Sequence, residues 1–104
     1  MLNAVSKLLG SSEADEFARE LVVTLTERYS AEAEQASTRR DDKKLNRALS
    51  IIQNQVRDYK KSHRLGVYQK ARIGNTFKWE LKERGYSEQF VELATKDLIV
   101  QLGR

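Results

Sequence analysis

LNRALSIIQNQVRDYKKSH, residues 45–63, carries the pattern that decides the fold. Leu45, Leu49, Ile52, Val56, Tyr59 and His63 recur at spacings of four, three, four, three and four. At 3.6 residues per turn this places all six on one side of a helix, as a heptad seam. Ala48 and Ile51 widen the apolar side beyond a narrow seam, which points to a helix packed inside a bundle rather than to a free-standing coiled coil. Gly66 is expected to end this helix as a left-handed C-cap residue, with Lys61, His63 and Arg64 in the last turn where the helix dipole favours positive charge.

The flanking segments follow the same helical rule. Residues 12–36, SEADEFARELVVTLTERYSAEAEQA, open with Ser12 and Asp15 in the spacing of a capping box and put Glu13, Asp15 and Glu16 near the positive end of the helix. Ala18, Val22, Leu25 and Tyr29, widened by Phe17 and Leu21, form its expected buried side, and one helix is expected through Ala36. The polar residues that follow are a break, with Ser37 or Thr38 able to cap the next helix. Downstream, VYQKARIGNTFKWELKER, residues 67–84, reads as one continuous helix through Gly74, kinked or closely packed there. Gly85 suits the position after that helix, with Tyr86 folding back towards Leu81, and Ser87 caps a last helix that buries Phe90, Leu93, Ala94, Leu98, Ile99 and Leu102.

The expected fold is therefore all-α. It is a compact antiparallel bundle of four to five helices, with a long central helix bearing the heptad seam and a tight C-terminal two-helix corner. One helical domain covers residues 1–104, with residues 1–10 an N-terminal arm or short helix. A chain of 104 residues buries enough surface to fold without a cross-link, and this one has neither cysteine nor proline. No apolar run approaches the roughly 20 residues needed to span a bilayer, and a cytoplasmic protein is expected.

The net charge of +4 is unevenly placed. Residues 1–37 carry three basic and seven acidic side chains and residues 38–104 carry sixteen and eight, so the two parts hold −4 and +8. Projected on a helix, Arg39, Lys43, Arg47, Ser50, Asn54, Arg57, Lys61 and Arg64 form one stripe free of acids on the side opposite the seam, and Lys70 extends it. Such a stripe can follow a nucleic-acid backbone, or it can be the solvated side of a bundle helix. Its competitor is internal. Glu13, Glu16, Glu20, Glu27 and Glu34 repeat at nearly the same period, so an antiparallel neighbour could pair with Arg57 and Arg64 and leave Lys43, Arg47 and Lys61 outside.

Trp79 falls off the Ile73, Phe77, Leu81 side of its helix. With Tyr68, Arg72 and Asn75 at helical spacing it forms a candidate protein-interface spot. Tyr59 and Phe77 fit the core rather than a base-stacking platform. The corner at Gly85 resembles a helix-turn-helix in outline, but Glu88, Glu92 and Asp97 against Lys96 make its second helix a poor reader of bases.

Enzyme chemistry finds no support. There is no phosphate-cradling glycine loop, no nucleophile elbow and no His-Glu-x-x-His motif; no catalytic residue, metal ligand, cofactor or small-molecule substrate is expected. His63, the sole histidine, lies on the seam and is read as structural. Two functional readings remain. The first is a small non-catalytic helical interaction module or adaptor that binds a protein partner or itself. The alternative is a nucleic-acid-binding accessory protein that contacts the phosphate backbone through the stripe. Neither involves a membrane.

Overall fold

Residues 11–36 and 42–104, which the computed structural model describes, are carried by five helices. They are α1 (Ser11–Arg28), α2 (Ala31–Gln35), α3 (Asp42–Ser62), α4 (Val67–Glu83) and α5 (Glu88–Gly103). The expected arm at residues 1–10, the cap at Ser37 or Thr38 and Arg39 lie outside the described residues. No helix among the described residues is long and apolar enough to cross a membrane.

Two antiparallel hairpins make the bundle. In the first, α1 packs on α3: Phe17 stacks on Tyr59 at 3.8 Å between ring centroids, and Tyr59 stacks in turn on His63 at 3.9 Å. In the second, α4 packs on α5 across the corner at Gly85. The hairpins then lie side by side, α1 along α4 and α3 along α5. Within each of these pairs the helices run in the same direction, as Asp15 meets Arg72 and Thr76 while Arg19 meets Glu80. The link of residues 63–66 therefore crosses the bundle diagonally, and the long α3 is left with one whole side outward.

The core follows from the apolar periods. Ala18, Leu21, Val22 and Leu25 of α1, Ala48, Ile52 and Val56 of α3, Ile73, Phe77 and Leu81 of α4, and Val91, Leu98 and Leu102 of α5 are all buried. Each large side chain so buried contributes about 1.5–3 kcal/mol. Leu45 and Tyr59 of the heptad seam are partly buried against this core.

The first helix ends earlier than its composition suggests. Ser30 is extended (φ −69°, ψ 162°), and its Oγ accepts from the Ala33 amide at 3.1 Å, capping the separate short helix α2. Helix formers continue past Tyr29, yet the buried Tyr29 anchors the end of α1 and the Ser30 hydroxyl offers the chain a new start. As a result Glu34 leaves the acidic line of α1. Its carboxylate accepts from the Ser87 amide and the Ser87 hydroxyl, both at 2.8 Å, and Gln35 donates to the Gly85 carbonyl at 2.9 Å. The short helix thereby fastens the far corner.

That corner forms as the sequence indicates. Gly85 takes φ +92°, the Gly85 amide bonds the Lys82 carbonyl and the Tyr86 amide bonds the Leu81 carbonyl, which is the Schellman pattern. The Tyr86 hydroxyl donates to the Tyr29 carbonyl, its ring stacks on Phe90, and burial raises its pKa above 10.0. Ser87 caps α5 by accepting from the Phe90 amide.

Gly66 differs from the expectation. With φ −79° it is not a left-handed cap of α3 but the residue before α4, and its amide donates to the Gln69 side chain at 2.9 Å. The buried side of α5 also differs: Val91 and Thr95 are buried, whereas Leu93 and Ile99 are 58% and 52% exposed. Apolar residues occur on nearly every side of α5, so its period alone does not choose which side faces the core. Ile99 instead lies across Gly74, where an added Cβ would come 3.2 Å from its Cγ1. Gly74 permits this close approach inside an unbroken α4. Because Ile99 is half exposed and can swing away, Gly74→Ala is expected to stabilise the fold by about 0.5–1 kcal/mol through helix propensity. A lowered thermal midpoint would show that Ile99 cannot yield.

Candidate nucleic-acid interface

The stripe is laid out on the free side of α3. Lys43, Arg47, Ser50, Asn54, Arg57 and Lys61 are all exposed. At 1.5 Å per residue the run from Lys43 to Lys61 measures roughly 27 Å. Arg64 is exposed too, but α3 ends at Ser62, so it lies in the link to α4 and departs from the line. Lys70 is half-buried on α4.

The internal competitor does not take up these charges. Among the described residues, no acidic side chain is within ion-pair distance of Lys43, Arg47, Arg57, Arg64 or Lys70. Lys61 lies 3.9 Å from Asp58, and both side chains are exposed. Such a pair contributes little and leaves Lys61 available. Two of the acids of α1 have partners elsewhere. Glu13 meets His63 at 3.0 Å, Asp15 meets Arg72, and Glu16 and Glu20 line a groove against Gln55 on the inner flank of α3. The antiparallel packing of α1 and α3 thus sets Glu13 at one end of the pair and Glu16 and Glu20 beside Gln55.

Where α3 and α5 converge, the stripe runs into a concavity. A cleft of about 360 Å³ gathers Arg57, Lys60 and Lys61 from α3 with Arg104 at the end of α5. The Lys60 ammonium donates to the Gln101 carbonyl at 3.0 Å. Lys60 and Arg104 escape a single-helix projection. Lys60 falls off the stripe line, and Arg104 arrives from another helix through tertiary packing.

The aromatic spot on α4 is realised in part. Trp79 is 60% exposed and Tyr68 47%. Arg72, by contrast, is a structural residue: its Nε and Nη2 donate to the two Asp15 carboxylate oxygens at 2.9 and 3.0 Å, and the Thr76 hydroxyl adds a third bond at 2.6 Å. This pairing ties α1 to α4. The Arg72 guanidinium holds the Asp15 carboxyl below its ordinary value of 3.8, with burial acting the other way. Since the folded pKa is the lower one, the pair's stabilisation is complete above the ordinary value and fades as pH falls through the folded value. Asp15→Asn is expected to cost about 2 kcal/mol at neutral pH. In urea titrations the gap from the unaltered chain should narrow in acid, and a gap independent of pH would contradict the pairing.

His63 stacks on Tyr59, with Nδ1 3.1 Å from the Tyr59 carbonyl and 3.0 Å from the Ser62 hydroxyl. Among the described residues, no group of three or more His, Asp or Glu side chains is placed to hold a metal ion. No protein-family model, curated protein or solved structure matches this chain. The functional reading therefore rests on the chain's own geometry.

Proposed function

We propose that this chain binds nucleic acid by holding the phosphate backbone against the outer side of α3, with little reading of base sequence. The observation that carries the reading is the line of exposed cations Lys43, Arg47, Arg57 and Lys61, which the acids of the neighbouring α1 leave unneutralised. A bundle helix needs a solvated side, but solvation is served equally by mixed charges. This side presents four cations against one exposed acid, Asp58, over several turns, the electrostatic footprint of a backbone binder. Contacts of this kind fix position on the strand and carry no sequence information. Helix α5 does not supply that information either, because it opens with Glu88 and carries Glu92 and Asp97.

The test is an anisotropy titration of a labelled duplex of about 20 base pairs, and of its scrambled counterpart, at low salt. Saturable binding of both with affinities within about threefold is the expected result. Absence of binding at low salt would overturn the reading.

A second reading, a protein-interaction module, is favoured by one observation: the 60% exposure of the sole tryptophan beside Tyr68. Exposed tryptophan is enriched among residues that dominate protein interfaces. The two readings use different surfaces. Trp79→Ala should leave nucleic-acid affinity within about twofold, since phosphate contacts carry that binding, while weakening a protein contact made through α4.

A further inference from the structure

We infer that the cleft between the C-terminal ends of α3 and α5 seats a phosphomonoester dianion, the phosphorylated end of a nucleic-acid strand. The strand rests on the function proposed above, whereas the phosphate chemistry stands on the cleft itself.

Along α3 the cations Lys43, Arg47, Arg57 and Lys61 follow one exposed side of a single helix, facing singly charged phosphodiesters. At the cleft the arrangement changes. Arg57, Lys60 and Lys61 approach from one helix and Arg104 from the other, about a concavity of about 360 Å³. That volume is at the lower end of the range of small-ligand pockets. Its polar walls add Gln53 and Gln101, both able to donate to oxygen. A strand continuing in both directions needs a ridge or an open channel, while a concavity where two helices end suits a chain terminus.

The charge count separates this cleft from ordinary helix-end compensation. Basic residues commonly offset the negative C-terminal ends of helices, each end equivalent to about half an elementary charge. Two such ends meet here together with the α-carboxylate of Arg104, so about two cations would balance them. Three stand on α3 alone, before Arg104 is counted. Asp58 and Asp97 do not line the cleft: Asp58 lies 3.9 Å from Lys61, and Asp97 accepts from Gln53 at 3.4 Å. Counting side chains, four cations stand against these two acids. A phosphomonoester carries about −1.5 to −2 at neutral pH, against −1 for a diester, and its three terminal oxygens can each accept from a different cation.

The experiment compares one short strand bearing a 5′-phosphate with the same strand bearing a 5′-hydroxyl, and adds a free mononucleotide as a third ligand. Lys60→Gln and Arg104→Gln are the variants, made singly and together, because neither residue belongs to the α3 stripe. Arg104 is exposed at the end of α5, so its variant reads the cleft even if loss of the Lys60–Gln101 bond disturbs packing. The expected result is about tenfold tighter binding of the phosphorylated strand, with that preference lost in the variants while the hydroxyl strand binds as before. Equal binding of the two strands by the unaltered protein would overturn the inference and leave the α3 reading standing. If neither strand binds, the strand end is not the occupant, and the duplex titration decides the α3 reading separately. Mononucleotide binding that the variants abolish would then retain the phosphate site with a free nucleotide as its occupant, and its absence would overturn the site as well.

Discussion

Replacing Lys43, Arg47 and Lys61 together by glutamate should lower duplex affinity by at least about 100-fold, because three phosphate contacts become three repulsions. All three side chains project from the outer side of α3. Lys43 and Arg47 pair with no described acid, and the Lys61–Asp58 contact joins two exposed groups. Folding stability should therefore change by no more than about 0.5 kcal/mol for each substitution. This separation makes the variant informative, since lost binding in a chain of unchanged thermal midpoint is attributable to the surface. Affinity within about threefold of the unaltered protein would exclude α3 as the nucleic-acid surface. The matching control is Glu16→Lys with Glu20→Lys. These residues face Gln55 across the groove between α1 and α3, so adding charge there should raise affinity far less than reversal on α3 lowers it.

Phe77→Ala should have the largest effect on the fold. Phe77 is 1% exposed at the middle of α4, the helix that contacts both α1 and the partner of its own hairpin, α5. Truncation removes a buried ring and leaves a cavity walled by helices that collapse only in part, at a cost of about 3–5 kcal/mol. A domain of this size has about 5–15 kcal/mol in total, so the variant should stand near the edge of stability. Urea denaturation followed by helical circular dichroism measures it. A cost below about 1 kcal/mol would place the centre of the core elsewhere. Nucleic-acid binding should persist in whatever fraction stays folded, because no part of Phe77 reaches the α3 surface.

Elements whose residues carry two consistent local signals were legible in the sequence. The seam from Leu45 to His63 has both period and length, and the corner has Gly85 for the left-handed turn and Ser87 for the next cap. Elements with one signal, or conflicting ones, were not. Ser30 lies among good helix formers, and its role as a cap depends on Tyr29 being buried beside it. Gly66 marks a boundary correctly, but a glycine without a neighbouring helix gives no indication of which helix it bounds. Leu93, Ile99 and Val100 make α5 apolar nearly all round, so the choice of inner side belongs to the partners, and close approach at Gly74 draws Ile99 outward.

The candidate site divides along the same line. The stripe on α3 is a property of one helix and is visible in its spacing. Whether it is neutralised depends on where α1 turns its acids, which only packing determines. Arg72 shows the difference: at helical spacing from Trp79 it reads as part of an exposed spot, yet Asp15, 57 residues away in sequence, holds it with two hydrogen bonds. Lys60 and Arg104 lie outside any single-helix pattern and become neighbours through the parallel packing of α3 and α5.

The most direct measurement is the dependence of duplex affinity on salt concentration between about 50 and 200 mM, where each phosphate neutralised contributes a slope near −0.9 in log K against log salt. Contacts from Lys43, Arg47, Arg57 and Lys61 give an expected slope of about −3.6, or roughly a 150-fold loss of affinity across that range. A slope near zero, or no binding at the lower concentration, would contradict backbone binding by α3 and make its basic stripe the solvated side of a bundle helix.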